Sequence, residues 1–380
     1  MYLLYSLKKA CKVFLQLKSP ADPPLPHFPA MNTRIFDIHA TNAGKGAALL
    51  LLLWHHLFFQ SPEYGCIVYK TALLAKVCVV MFVMLSGYGF SESFRLKKPG
   101  LFQFYKNRLI AIYSNYWFIA LIFVPIGVFF MGRTLQSSFT GHPYVKFLIQ
   151  MTGLHRFVYS DYGYNATWWY MSVIIPLIIL FPLVHYTVKK YGIFVLLLLF
   201  ALLIPRTPII PVINEWLFPF ALGIYLSQRS YISAISAYLN TLGWPRYILL
   251  LGVISLMAVL RIYFPSLHTT KFNWLFGLAI ILFIFELSKT LHMIGSLLSM
   301  LGKHLFNVFL FHSFIYSYFW KDFIYSFKQP IIIFMVLLLL CVTVSIVLEY
   351  VKKLIGFYSL TQKIQHQGAP VSTDIPISLV

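Results

Sequence analysis

Residues 45–58 read KGAALLLLLWHHLF: a lysine, an apolar run, and then two histidines where hydrocarbon would be expected to continue. The composition around this stretch says which medium it meets. Of the 380 residues, 59% are hydrophobic and 11% charged, and the mean hydropathy is +0.78. Apolar runs of about 18 residues or more recur along the chain, each long enough to cross a hydrocarbon core of roughly 30 Å at about 1.5 Å per residue. The expected fold is an all-α, polytopic transmembrane helical bundle of about ten spans. They fall near 44–61, 73–91, 111–130, 168–187, 191–205, 213–228, 245–264, 272–288, 303–320 and 330–350. The fifth and sixth are short and separated by the proline-rich IPRTPIIPVINE at 204–215; as one re-entrant hairpin they would lower the count to eight.

A formal charge of +20 would point to nucleic acid in a soluble protein, but between membrane spans the positions of Lys and Arg are a topological signal instead. With ten spans and a cytoplasmic N-terminus, 20 of the 30 basic residues fall in inner segments, nine in outer ones, and Lys76 lies within the second span. Both termini are therefore expected in the cytoplasm. No nucleic-acid partner is expected, and the basic RLKKPGLFQFYKNR at 95–108 would face anionic lipid headgroups or an anionic cytosolic ligand. Three regions are expected: an amphipathic and Pro-rich segment over 1–30, a membrane domain over 31–358, and a mobile cytoplasmic tail over 359–380. The start MYLLYSLKKACKVFLQLKSP carries no clean cleavage site, which argues against a secretory signal. Cys11, Cys66, Cys78 and Cys341 match no metal-ligand spacing, so neither a metal nor a disulfide framework is expected.

Helical geometry separates the two histidines. Lys45 and His56 are eleven residues apart, a rotation of about 1100°, within about 20° of three full turns, so they share a face. The rise between them is about 16 Å, half the membrane if Lys45 marks the cytosolic edge. His55 points about 100° away, toward another helix or the headgroups. An ionisable group within a membrane is a functional hypothesis by default. Burial disfavours a charged imidazole, and a neutral one accepts a proton near pH 7. His56 thus has open readings: a general base, or, like His55, a ring that marks the outer headgroup boundary or bonds a carbonyl across helices.

Further phrases bear on that choice. They are MFVMLSGYGF at 81–90, FYKNRLIAIYSNYW at 104–117, NATWWYMSVIIPLIILFPLV at 165–184, WLFPFALGIYLSQ at 216–228, LGKHLFNVFLFHSF at 301–314 and VLEYVKK at 347–353. In this order and spacing they resemble the membrane acyltransferase-3 family, whose first span typically carries Arg or Lys, ten residues, then His, as Lys45 and His56 do. Lys106 and Arg108 depart from that family's R-x-x-R spacing, and His304 stands where it more often has Ser. The resemblance implies transfer of an acyl group, usually acetyl from acetyl-CoA, to a hydroxyl of a surface carbohydrate or lipid-linked glycan in a bacterial inner membrane, with no tightly bound cofactor.

In that reading His56 is the catalytic base and Lys45, Lys106 and Arg108 bind CoA phosphates. Ser86, Tyr88, Trp168, Trp169 and His312 are candidates for the substrate cavity. Each has a plainer reading: small residues let helices pack closely, His312 may equally be read as an interhelical hydrogen-bond partner, and tryptophans gather at membrane interfaces. The outer loop over 131–167 offers Tyr159, Asp161, Tyr162, Tyr164 and Asn165 as a sugar platform or as interfacial aromatics. Glu349 is expected to pair with a base at the inner edge, and Glu286 and Lys76 invite pairing with each other. About 30 residues follow the last span, too few for an appended hydrolase-like domain. A transporter or flippase remains the alternative, although no internal repeat is visible; a non-enzymatic partner in glycan export is a third reading.

Overall fold

The computed structural model describes residues 38–202, 211–264 and 270–366; the expected 1–30 segment lies outside the described residues. Every regular element among them is helical. Helix α1 (Ile38–Phe58) leads to α2 (Cys66–Ala75), α3 (Cys78–Lys97) and α4 (Leu101–Phe130). Short loop helices, of which α5 (Pro143–Met151) is the longest, precede a 3₁₀ turn at Ala166–Tyr170 that runs into α6 (Met171–Tyr191). The chain continues through α7 (Ile193–Ala201), α8 (Pro211–Gln228), α9 (Tyr231–Thr241), α10 (Pro245–Tyr263) and α11 (Thr270–Thr290). It closes with α12 (His292–Ser313), α13 (Pro330–Leu354) and α14 (Phe357–His366).

Seven segments among the described residues are long and apolar enough to cross a membrane: 66–97, 101–130, 166–191, 245–263, 272–290, 292–319 and 330–354. Those are the second to fourth and the seventh to tenth of the expected spans. The other three occur as α1, α7 and α8, of 21, 9 and 18 residues. They miss the same test of length and hydropathy: α7 is short, and α1 is diluted by Asn42, Lys45 and its two histidines. Residues 359–366 of the expected tail belong to a helix over Phe357–His366, whose Gln365 donates to the Asn107 carbonyl at 3.2 Å and accepts from Gln103 at 2.8 Å.

Two close helix crossings organise the bundle. Helices α1 and α12 run parallel and touch backbone to backbone: a Cβ on Gly46 would lie 1.9 Å from the Leu298 carbonyl oxygen, and one on Gly302 would lie 2.0 Å from that of Asn42. Helices α3 and α8 do the same, with Gly87 against the Phe220 carbonyl at 2.2 Å and Gly223 against that of Met84 at 2.1 Å. In lipid, where no hydrophobic force drives helices together, such contact supplies the dispersion energy of association. The glycines of LSGY and FALG, far apart in sequence, are the two halves of one crossing.

The second span is not one helix. It is interrupted between Ala75 and Cys78, at Lys76 and Val77, with the Lys76 side chain exposed. An interruption frees carbonyls that water cannot reach in hydrocarbon, and each needs a donor. His55 Nδ1 donates to the Ala72 carbonyl at 2.8 Å, and Arg261 Nη1 donates to that of Leu74 at 3.1 Å.

Charged groups in the interior are likewise satisfied by distant helices. Fully buried Lys352 donates to Asn115 at 2.6 Å, Asn307 at 2.9 Å and Glu349 at 2.8 Å, which joins α4, α12 and α13. Glu286 pairs with Lys289 at 2.8 Å and faces Arg246 at 3.3 Å, so its ionic partners are these two bases and not Lys76. Overpacking a close backbone contact costs about 1–3 kcal/mol. Gly87→Ala and Gly302→Ala are therefore expected to lower the thermal unfolding midpoint of the detergent-solubilised protein by several degrees. Gly89→Ala, two residues from Gly87 but facing open space, is expected to leave it unchanged or raise it.

Candidate active site

The face that Lys45 and His56 share lies along α12. Leu305, Phe309, His312 and Tyr316 recur at helical spacing and form a stripe on that helix. Near the Gly46–Gly302 end, Lys45 meets the stripe in a small cavity of about 40 Å³, closed by Phe82 and Ser86 of α3, Ile112 of α4, and Tyr170 and Ile174 at the start of α6. That volume holds one to a few waters at roughly 10–15 Å³ for each. Ser86 and Tyr170 both line it, so the apolar chamber carries two hydroxyls and one ammonium.

Farther along the stripe, His56 meets His312. The ring centroids are 5.0 Å apart, and the Tyr316 hydroxyl lies 3.5 Å from His56 Nδ1. His56 is half-buried and His312 fully buried. His55, one residue away, is occupied with the Ala72 carbonyl and stacks on Phe59 at 4.6 Å. Sequence geometry thus separates the two rings as the structure does.

The remaining candidates divide. Arg108 lies over the Phe90 ring at 4.6 Å, within electrostatic range of both Lys45 and Lys97. Lys106, half-buried, leaves α4 about 200° from Arg108, since two residues separate them. Tyr88 is buried near the α3–α8 crossing, where a Cβ on Gly223 would come within 2.9 Å of its backbone nitrogen. Trp168 has no face free for a sugar: it is 2% exposed, donates through Nε1 to the Leu310 carbonyl at 2.8 Å, and packs on Tyr116 and Phe314. Trp169 is half-buried against Trp216, centroids 5.7 Å apart.

The loop over 131–167 is an anchored structure in which most of the proposed sugar platform is already engaged. Asn165 Oδ1 accepts from Thr167 N at 2.9 Å, Thr167 Oγ1 at 2.8 Å and Ser313 Oγ at 2.7 Å, which caps the 3₁₀ turn and ties it to α12. Buried Tyr164 donates to the Arg133 carbonyl at 2.8 Å, and the Arg133 guanidinium sits 3.6 Å over the Tyr318 ring. Asp161 accepts from Lys146 at 2.7 Å and from His155 at 2.5 Å. Tyr162 keeps an exposed ring.

The model of the family described as "Acyltransferase domain", acyltransferase-3, matches residues 38–350. The chain belongs to the acyltransferase-3 family. No curated protein and no solved structure matches it. As an acyltransferase with seven apolar helices of spanning length, it is an integral membrane protein. The matched region takes in α1, with Lys45 and His56, and α12, with His312, while α14 lies beyond it. Two residues of this candidate site, Tyr170 and Tyr316, carry no signal in the sequence beyond their place in aromatic runs. Only helical spacing from Phe309 and His312 puts Tyr316 on the stripe.

Burial alone would raise the Asp161 carboxyl, but hydrogen bonds from Lys146 and His155 outweigh it and hold the group below the usual carboxylate range. A carboxyl depressed in the folded state stabilises fully above its unfolded value, near 3.9, and that stabilisation is lost as pH falls through the folded value. Asp161→Asn is thus expected to lower the unfolding midpoint by a few degrees at pH 7, with the difference from wild type shrinking below about pH 4. A difference that stays constant between pH 7 and pH 3 would contradict the assignment.

Proposed function

We propose that this acyltransferase moves an acyl group, acetyl in the simplest case, from cytosolic acyl-CoA to a hydroxyl of a surface polysaccharide or lipid-linked glycan. The observation that carries the reading is the shared face of Lys45 and His56 over one stripe of α12, with a hydroxyl-bearing chamber of about 40 Å³ at the lysine end. The donor exists only in the cytoplasm and such acceptors are assembled or displayed across the membrane. A site inside the bundle, approached from both sides, reconciles the two.

The chemistry follows from the groups present. His56 takes the proton of the acceptor hydroxyl as its oxygen attacks the thioester carbonyl and the new C–O bond forms. The negative charge on the carbonyl oxygen needs a fixed donor, and the hydroxyls of Ser86 and Tyr170 line the chamber where an acyl group would rest. When the C–S bond breaks, the proton passes from His56 to the departing CoA thiolate. Lys45, Arg108 and Lys106 pair with CoA phosphates at the cytoplasmic mouth, as a guanidinium fork and two point charges. The apolar walls formed by Phe82, Ile174 and Phe309 favour a short acyl chain. Both termini would then be cytoplasmic, in a bacterial inner membrane.

In cells, His56→Ala is expected to remove acyl groups from the surface glycan, read by mass spectrometry, with membrane abundance and glycan export unchanged. Glycan that keeps its acyl content in that variant would refute the reading; lost export with normal acylation would favour a transporter.

A further inference from the structure

Helix α12 does not stop at Ser313 but widens into a π-helix over Phe314–Phe319, where the Trp320 N–H closes on the Ile315 carbonyl five residues back at 3.1 Å. Such turns are rare and occur frequently at functional sites. This one carries Tyr316, whose hydroxyl lies 3.5 Å from His56 Nδ1 and whose ring stacks on His312 at 5.8 Å with an interplanar angle of 18°.

His312 fixes its own tautomer. Its Nδ1 faces two carbonyl oxygens, Val308 at 2.9 Å and Phe309 at 3.1 Å. A carbonyl only accepts, so Nδ1 carries the proton and Nε2 of the neutral ring holds a lone pair. That Nε2 is buried and has no hydrogen-bond partner. An unpaired acceptor in the interior forfeits the hydrogen bond it would make with water, so its presence calls for an explanation. A general base is usually held by a third group, commonly a carboxylate. Among the described residues, no carboxylate acts on either ring; His56 has His312 and His55 as its charged-state neighbours.

We propose that His312 is the second half of the base: the proton taken up by His56 is shared with the Nε2 lone pair of His312. This rests on the reading of His56 as the proton acceptor. Half-buried His56 meets the acceptor hydroxyl, and fully buried His312 acts only through it, as a positioning residue. The acceptor proton moves to His56 while the C–O bond forms, and an imidazolium N–H of His56 is then held by the neutral His312. As the C–S bond breaks, the acceptor's proton leaves from the other nitrogen of His56 with the thiolate, the N–H held by His312 stays, and both rings are neutral again. Tyr316 selects which nitrogen of His56 faces the acceptor.

The test uses the full chain in membranes of expressing cells, with acetyl-CoA as donor and thiol release as the initial-rate readout. His312→Asn is expected to lower kcat on the order of 10²-fold with KM for acetyl-CoA unchanged. Imidazole added to His312→Gly should restore part of the rate, which a merely structural role would not allow. Tyr316→Phe should lose several-fold in kcat. His312→Asn at the wild-type rate beside an inactive His56→Ala would overturn the pair and leave the base intact, as would a loss carried in KM without imidazole rescue. An active His56→Ala would defeat the underlying reading together with the pair. Should wild-type membranes release no thiol, the acyl-CoA reading fails, and ¹⁵N-histidine NMR in nanodiscs decides the pair alone. There His56→Ala is expected to shift the His312 Nε2 resonance, and an unmoved resonance overturns the proposal.

Discussion

Everything in this bundle hangs on backbone meeting backbone where α1 crosses α12. Gly46 and Gly302 have no side chain to hold the helices apart, and the neighbouring carbonyls occupy the space that a Cβ would fill. From that contact the two helices run parallel toward the histidine end, so the spacing of His56 from His312 is set about 15 Å away, ten residues along α1. A parallel pair has a further consequence: equal steps along the two helices stay level with each other. His56, ten residues past Gly46, therefore meets His312, ten residues past Gly302.

Around that pair, two buried polar side chains take partners from other helices. Lys352, with no exposed surface, engages side chains from α4, α12 and its own helix. A single buried charge without partners would be prohibitive in hydrocarbon, whereas one with three acceptors fixes the register of three helices. Asn165 does similar work at the other end, where it ties the turn before α6 to Ser313. The site thus lies between two polar fastenings, and the side chains nearest its chamber are mainly apolar.

Much of the membrane architecture was legible because it rests on local physics. Apolar length and the positions of charged residues give the class of fold, and 100° per residue brings Lys45 and His56 to one face while turning His55 away. What stayed hidden depends on which groups the fold brings together. Trp168 reads equally as a stacking platform or a packed anchor until the Leu310 carbonyl is seen at its Nε1. Glu286 and Lys76 look like a pair in a list of intramembrane charges, yet Lys289 and Arg246 lie closer in the fold. The interruption after Ala75 has no Pro or Gly to announce it, and the π-helix at Phe314–Phe319 has no compositional mark at all.

The adjacent histidines of α1 divide their labour. His55 donates to a carbonyl that the interrupted second span leaves over, and Arg261 reaches the same seam from α10. One imidazole closes a seam and its neighbour faces His312, on consecutive residues of a single turn. If the proposed reading holds, a mutational scan that scored only product formed would register both rings alike, although His55 would act there as a joiner and not as a tool.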